Sequence, residues 1–139
     1  MGVIYLAAVR TNRMNVVNDA INSKTYAAGT GTGSAGSLVI GTSALSGATG
    51  VLATITLQNP AGTISGDVLT LAGTPLSVAA SAGGTAAKAE IRNNAGTVVA
   101  GNLSVGTSGS DINLNTTTVT SGQTVTVTSG TITHNSTGT

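Results

Sequence analysis

The sequence predicts a mainly β protein, an antiparallel jelly-roll-like sandwich of about eight short strands preceded by one short helix. Three observations carry this. From residue 37 onward the apolar and β-branched runs are short and closely spaced, each bounded by Gly, Asn, Asp or Pro. Several of those runs alternate with period two, the signature of a half-buried strand. Only one stretch, near the start, has helical spacing.

That stretch is TNRMNVVNDAINS, residues 11–23, which places Met14, Val17 and Ile21 at i, i+3 and i+7 with Thr11 or Asn12 available as N-cap. Asn12, Asn15, Asn18 and Asn22 are poor helix-interior residues, so packing of the Met14 face has to hold it. Before it, GVIYLAAV at residues 2–9 is too short to span a bilayer and lacks a basic leader, so it is expected as a first strand or an arm. Leu6 also breaks the myristoylation pattern. The composition of TYAAGTGTGSAG, residues 25–36, predicts a flexible connector.

The strands expected next are SLVIGT from Ser37, then 51–58, 67–73, 75–81, 85–93, 97–106, 111–115 and 123–133. In the second of these, Val51, Ala53, Ile55 and Leu57 should face opposite Leu52, Thr54 and Thr56. In the last, Val125 and Val127 alternate with threonine, and the parity then flips to Ile132. That flip predicts a bulge or turn at Gly130. No shift in composition divides the chain, so one domain is expected over 1–139: strand or arm and helix to residue 24, connector 25–36, sandwich 37–135 and a flexible tail at 136–139.

Composition narrows the function. Gly, Ala, Ser and Thr supply 78 of 139 residues, yet Leu, Ile and Val still supply 32, enough to fold a core of small aliphatics. Phe, Trp and Cys are absent and the aromatics are Tyr5 and Tyr26. Neither large aromatic burial nor a disulfide or thiolate metal site reinforces that core, which leaves oligomerisation, a dimer first, as the expected support. Nine charged residues, 6% of the chain, fall far below the roughly 25–35% of a surface that keeps a small domain apart from its neighbours. Much of the surface is therefore expected to be covered by protein partners.

Chemistry has little to work with. A general base or an activated nucleophile needs a titratable neighbour, whereas Asp19, Asp67, Glu90 and Asp111 each stand alone in sequence and His134 is the one histidine. The expectation is no enzyme, no cofactor, no metal site and no small-molecule ligand. Arg10, Arg13, Lys24, Lys88 and Arg92 are scattered and lack interleaved aromatics, so neither nucleic acid nor a membrane is expected as partner. Gly31 to Gly36 has dinucleotide-fingerprint spacing, but a strand-like segment follows it where a helix is required. The TIT and TVTVT segments start at 54, 124 and 131 without the fixed period of an ice-binding solenoid. The sequons at Asn102, Asn115 and Asn135 are what chance supplies in so Asn-, Ser- and Thr-rich a chain. Lys88, Glu90 and Arg92 form the densest charge cluster, on one strand face opposite Ala87, Ala89 and Ile91. That row reads either as a solvated face that blunts aggregation or as a polar contact to a neighbouring subunit.

In order, AVRTNRMNVVNDAINS, SLVIGTSA, GVLATITLQNP, AEIRNNAGTVVAGNLSVG and SGSDINLNTTTVTSGQTVTVTSGTIT resemble the capsid decoration, or cement, proteins of tailed phages over most of the chain. The most specific pieces are the helix with its Gly-rich break, the hairpin at Ile91 to Thr97 and the tail at Asp111 to Val127. The resemblance implies a jelly-roll-like virion protein, made in the host cytoplasm, that binds the outside of a capsid shell and reinforces contacts between major capsid subunits. It carries over no catalytic residue. Val3, Ile4, Tyr5 and Leu6 are the candidate arm, and Lys88, Glu90 and Arg92 the candidate polar contact. A tail or baseplate component is the alternative within the structural class. A receptor- or glycan-binding module is the alternative outside it, and its expected aromatic platform is missing after Tyr26.

Overall fold

The computed structural model describes residues 6–22, 34–58, 61–65 and 68–133. The candidate arm residues Val3, Ile4 and Tyr5, most of the 25–36 connector, His134 and the 136–139 tail lie outside them. The fold is mainly β, antiparallel-rich and sandwich-like, and the described residues form one helix, α1 (Ala7–Ile21), and eleven strands. The strands are β1 (Ser37–Ser46), β2 (Thr49–Thr56), β3 (Gly62–Ser65), β4 (Val68–Leu71), β5 (Leu76–Ala79), β6 (Gly84–Thr85), β7 (Lys88–Arg92), β8 (Val98–Gly106), β9 (Ile112–Leu114), β10 (Thr118–Val119) and β11 (Thr124–Thr133).

All eight expected strands form. The three additional ones, β3, β6 and β10, are four residues or shorter and carry too little alternation to stand out in sequence. The helix starts earlier than expected. Ala7 to Val9 belong to it rather than to a strand or arm, and Leu6 holds the N-cap position in extended geometry without a side-chain cap.

The main sheet runs β2-β1-β7-β8-β9-β11-β4-β3, with β5 also paired to β11 and a separate β6–β10 pair. One half, β2-β1-β7-β8, is antiparallel throughout. Its link to the other half is a short parallel pairing in which Val105 and Gly106 of β8 meet Ile112 and Asn113 of β9. Along the far margin, Ser81 donates from both its N–H and its hydroxyl to the carbonyl of Leu52, at 2.8 and 3.2 Å. A single core joins the two halves and the helix: Leu38, Ile40, Ile55, Ile91, Leu69, Ile112, Leu114, Val125 and Val127 are buried together with Met14 and Ile21 of α1.

Two slips in register shape the faces. Ile40 pairs with Ala53 but Gly41 with Val51, so Leu52 is the extra residue. It turns into the core instead of outward with Thr54 and Thr56, which corrects the simple alternation expected for this strand. In β11 the register with β9 slips between Val127 and Ser129, and burial passes from Val125 and Val127 to Gly130 and the half-buried Ile132. The expected parity flip is present as an irregularity within a continuous strand rather than as a turn. Gly130 is fixed by packing, because a Cβ there would lie 2.5 Å from Leu71 Cδ1.

A third slip lies between β7 and β8: Ala89 pairs with Leu103 and Ile91 with Ala100, leaving Gly101 and Asn102 opposite Glu90. Asn102 there has φ +56°, the left-handed region that Asn tolerates better than most side chains. Asn102→Ala is expected to lower stability by about 1 kcal/mol, while Asn102→Gly leaves it nearly unchanged. Urea denaturation of the two variants checks this, and equal loss in both would remove the backbone explanation.

Candidate interaction surface

β7 places Ala89 and Ile91 in the core and sends Lys88, Glu90 and Arg92 to the opposite face, as the alternation requires. That face is not solvated at this point. Glu90 is 8% exposed, and Lys88 and Arg92 are half-buried. The β1–β2 hairpin tip supplies the cover. Gly41 lies beneath Leu45, since a Cβ on Gly41 would come within 2.7 Å of Leu45 Cδ1 and 2.6 Å of the Gly50 carbonyl. Leu45 is thereby 98% removed from solvent although it lies outside the main core, as does Val39.

The tip also presents backbone carbonyls to the cations. Arg92 Nη2 donates to Gly47 O at 2.7 Å, and Lys88 Nζ reaches Leu45 O at 3.5 Å. Arg92 donates through Nε and Nη2 to Glu90 Oε2 at 3.1 and 2.9 Å. Glu90 and Arg92 are therefore not the solvated face that one reading of this row expects: Arg92, held by Glu90, bonds the hairpin tip to the sheet. The fold-back depends on Gly41 and on Gly50 at φ +74°, not on strand periodicity.

Free apolar surface is found on the helix instead. Leu6 is 77% exposed, and Val9 and Val16 are each 38% exposed. With Arg13 they form a stripe at helical spacing, turned away from the Met14–Ile21 face that enters the core. Leu6 is a sequence candidate. Val9 and Val16 are not, because the apolar content of α1 is spread around the helix and its i, i+3, i+7 spacing marks only Met14, Val17 and Ile21. Beside the stripe a groove of about 340 Å³ lies between α1 and the end of β11, lined by Arg13, Met14, Val17, Ile132 and Thr133. On β8, Val98 is 46% exposed.

A second cleft, about 370 Å³ and polar, opens beside the charge row between Ser43, Ala87, Lys88, Asn102, Leu103 and Ser104. Ala87, expected on the inner face, is exposed at its rim. Among the described residues no three His, Cys, Asp or Glu side chains come together as a metal set. Asp19 is buried on α1, and Asp111 accepts from the Ser104 N–H at 3.0 Å. No described helix is long and apolar enough to cross a membrane. Searched against protein-family models, curated proteins and solved structures, the chain matches none of them.

Proposed function

We propose that this chain is a structural virion protein, not an enzyme, that binds the outer surface of a tailed-phage capsid shell and reinforces contacts between major capsid subunits. The observation that carries the reading is the exposed Leu6, Val9 and Val16 stripe on an otherwise almost uncharged protein. Apolar surface of this kind, without the charges that keep small domains apart, is what a protein buried by its partners presents. The resemblance of the Ile91–Thr97 hairpin and the Asp111–Val127 segment to cement proteins supplies the identity of the partner. Binding to the assembled shell stabilises it by mass action, and self-association as a dimer adds burial to a core built without large aromatics.

The test is co-sedimentation of the purified protein with empty shells of the phage that encodes it, followed by the shells' melting temperature with and without it. Saturable binding with a raised melting temperature is expected. Replacing Leu6, Val9 and Val16 together by serine should weaken that binding about a hundredfold, because each loses roughly 1 kcal/mol of burial at the contact. The substitutions spare the helix, which deletion of residues 1–9 would cut. Recovery of the protein in tail fractions, or binding unaffected by the triple substitution, would overturn the capsid assignment or the stripe respectively.

A further inference from the structure

The polar cleft beside the charge row holds a set of donors with almost nothing to receive them. Lys88 stands opposite Gly41 on one side and Ser104 on the other, so its side chain rises between β1 and β8. Its ammonium reaches one protein acceptor, Leu45 O, at 3.5 Å, beyond the usual range for a strong N–H···O bond. Glu90, the nearest acid in the row, is occupied by both Nε and Nη2 of Arg92. Among the described residues no carboxylate pairs with Lys88.

The walls repeat the pattern. Ser104 Oγ accepts from the Asp111 N–H at 2.9 Å, which leaves its own hydroxyl proton to donate. Ser43 and Asn102 line the same cleft, both exposed, and neither side chain donates to an acceptor among the described residues. Asn102 is placed there by the register slip opposite Glu90, and its left-handed backbone aims it differently from a regular strand residue. Asp111, the carboxylate beside Ser104, accepts the Ser104 N–H through Oδ2.

A half-buried cation flanked by the exposed hydroxyl and amide side chains of Ser43, Asn102 and Ser104 is complementary to an anion that accepts several hydrogen bonds. We propose that this cleft is a socket for the carboxylate of a Glu or Asp side chain on a docked partner protein, with Lys88 as the charge contact and Ser43, Asn102 and Ser104 as the orienting donors. The proposal rests on the reading of this protein as one that packs against other chains. A single ammonium in an open cleft holds a free carboxylate only weakly, so the socket gives register and specificity to a contact whose area lies elsewhere.

Titration of the full-length, isotope-labelled protein with acetyl-Gly-Glu-Gly-amide, followed by amide NMR shifts, tests this without a capsid shell and so separates its failure from that of the virion assignment. Saturable shifts are expected at Ser43, Lys88, Asn102 and Ser104, weakening as salt is raised to about 0.3 M, and absent with the glutamine peptide. Lys88→Gln should weaken binding about tenfold and Lys88→Arg restore most of it. Asn102→Asp, which puts a carboxylate into the socket on a backbone that Asp tolerates, should abolish binding in a second, independent way. No saturable shift at these four amides, or equal shifts with the Glu and Gln peptides or in Lys88→Gln, would overturn the assignment.

Discussion

Leu69→Ala is expected to lower the unfolding free energy by about 3 kcal/mol, with the melting temperature falling by roughly 10 °C. Leu69 is fully buried in β4, where it pairs with Ile64 of β3 on one side and Ile132 of β11 on the other. Truncation removes the transfer energy of the lost methyl groups and leaves a cavity that its aliphatic neighbours fill poorly. The chain has no Phe or Trp to spread that loss. A typical domain holds only about 5–15 kcal/mol in total, so the change is a large share of what keeps the protein folded. In urea the midpoint should fall with the slope unchanged. An unchanged midpoint would mean that β3, β4 and β11 do not share one cooperative core.

Gly36→Ala should be at least as damaging, at about 3 kcal/mol, for the opposite reason. Gly36 lies just before β1, where a Cβ would sit 2.5 Å from the Arg92 carbonyl, 2.7 Å from the Ile21 carbonyl and 2.7 Å from Ile21 Cγ2. Two of these are backbone atoms with no rotamer to change, so the end of α1 or the end of β7 has to move. The Gly36 carbonyl also accepts from the Leu57 N–H at 2.9 Å, which ties the same point to the segment after β2. Thermal unfolding followed by circular dichroism checks the magnitude. A melting temperature within about 2 °C of the parent would show that the helix end yields freely and that the close approach is not a constraint.

Local periodicity made most of the strands legible. Eight segments announce themselves because β-branched alternation and turn residues coincide in them, and Met14, Val17 and Ile21 correctly mark the core face of the helix. What escaped has non-local causes. The burial of Leu52 depends on the register slip that leaves it unpaired between Ala53 and Val51, and the burial of Glu90 depends on the hairpin tip folding back over Gly41, where Arg92 Nη2 meets the Gly47 carbonyl 45 residues away in sequence. Neither can be read from spacing within one strand. The candidate surface was half legible: the charge row faces one way as its alternation says, but which of its charges are consumed internally is decided by the tip. The exposed Val9 and Val16 were masked by Val17 and Met14 in the same short helix.

β11 pairs with β5 along its first half, with β9 at its middle and with β4 at its end. β5 therefore acquires its ladder partner, and β4 its second, only when this one segment is in place. Before that, β4 and β5 each carry an open edge, and the two halves of the sandwich lack a common member. Such wiring makes the chain dependent on late, long-range closure, the kind of topology that folds slowly and leaves unpaired edges waiting. Scarcity of charge gives those waiting edges little electrostatic protection. The kinetic hazard of this protein thus lies in the interval before β11 docks, and the concentration of unfinished chains governs how many are lost to one another.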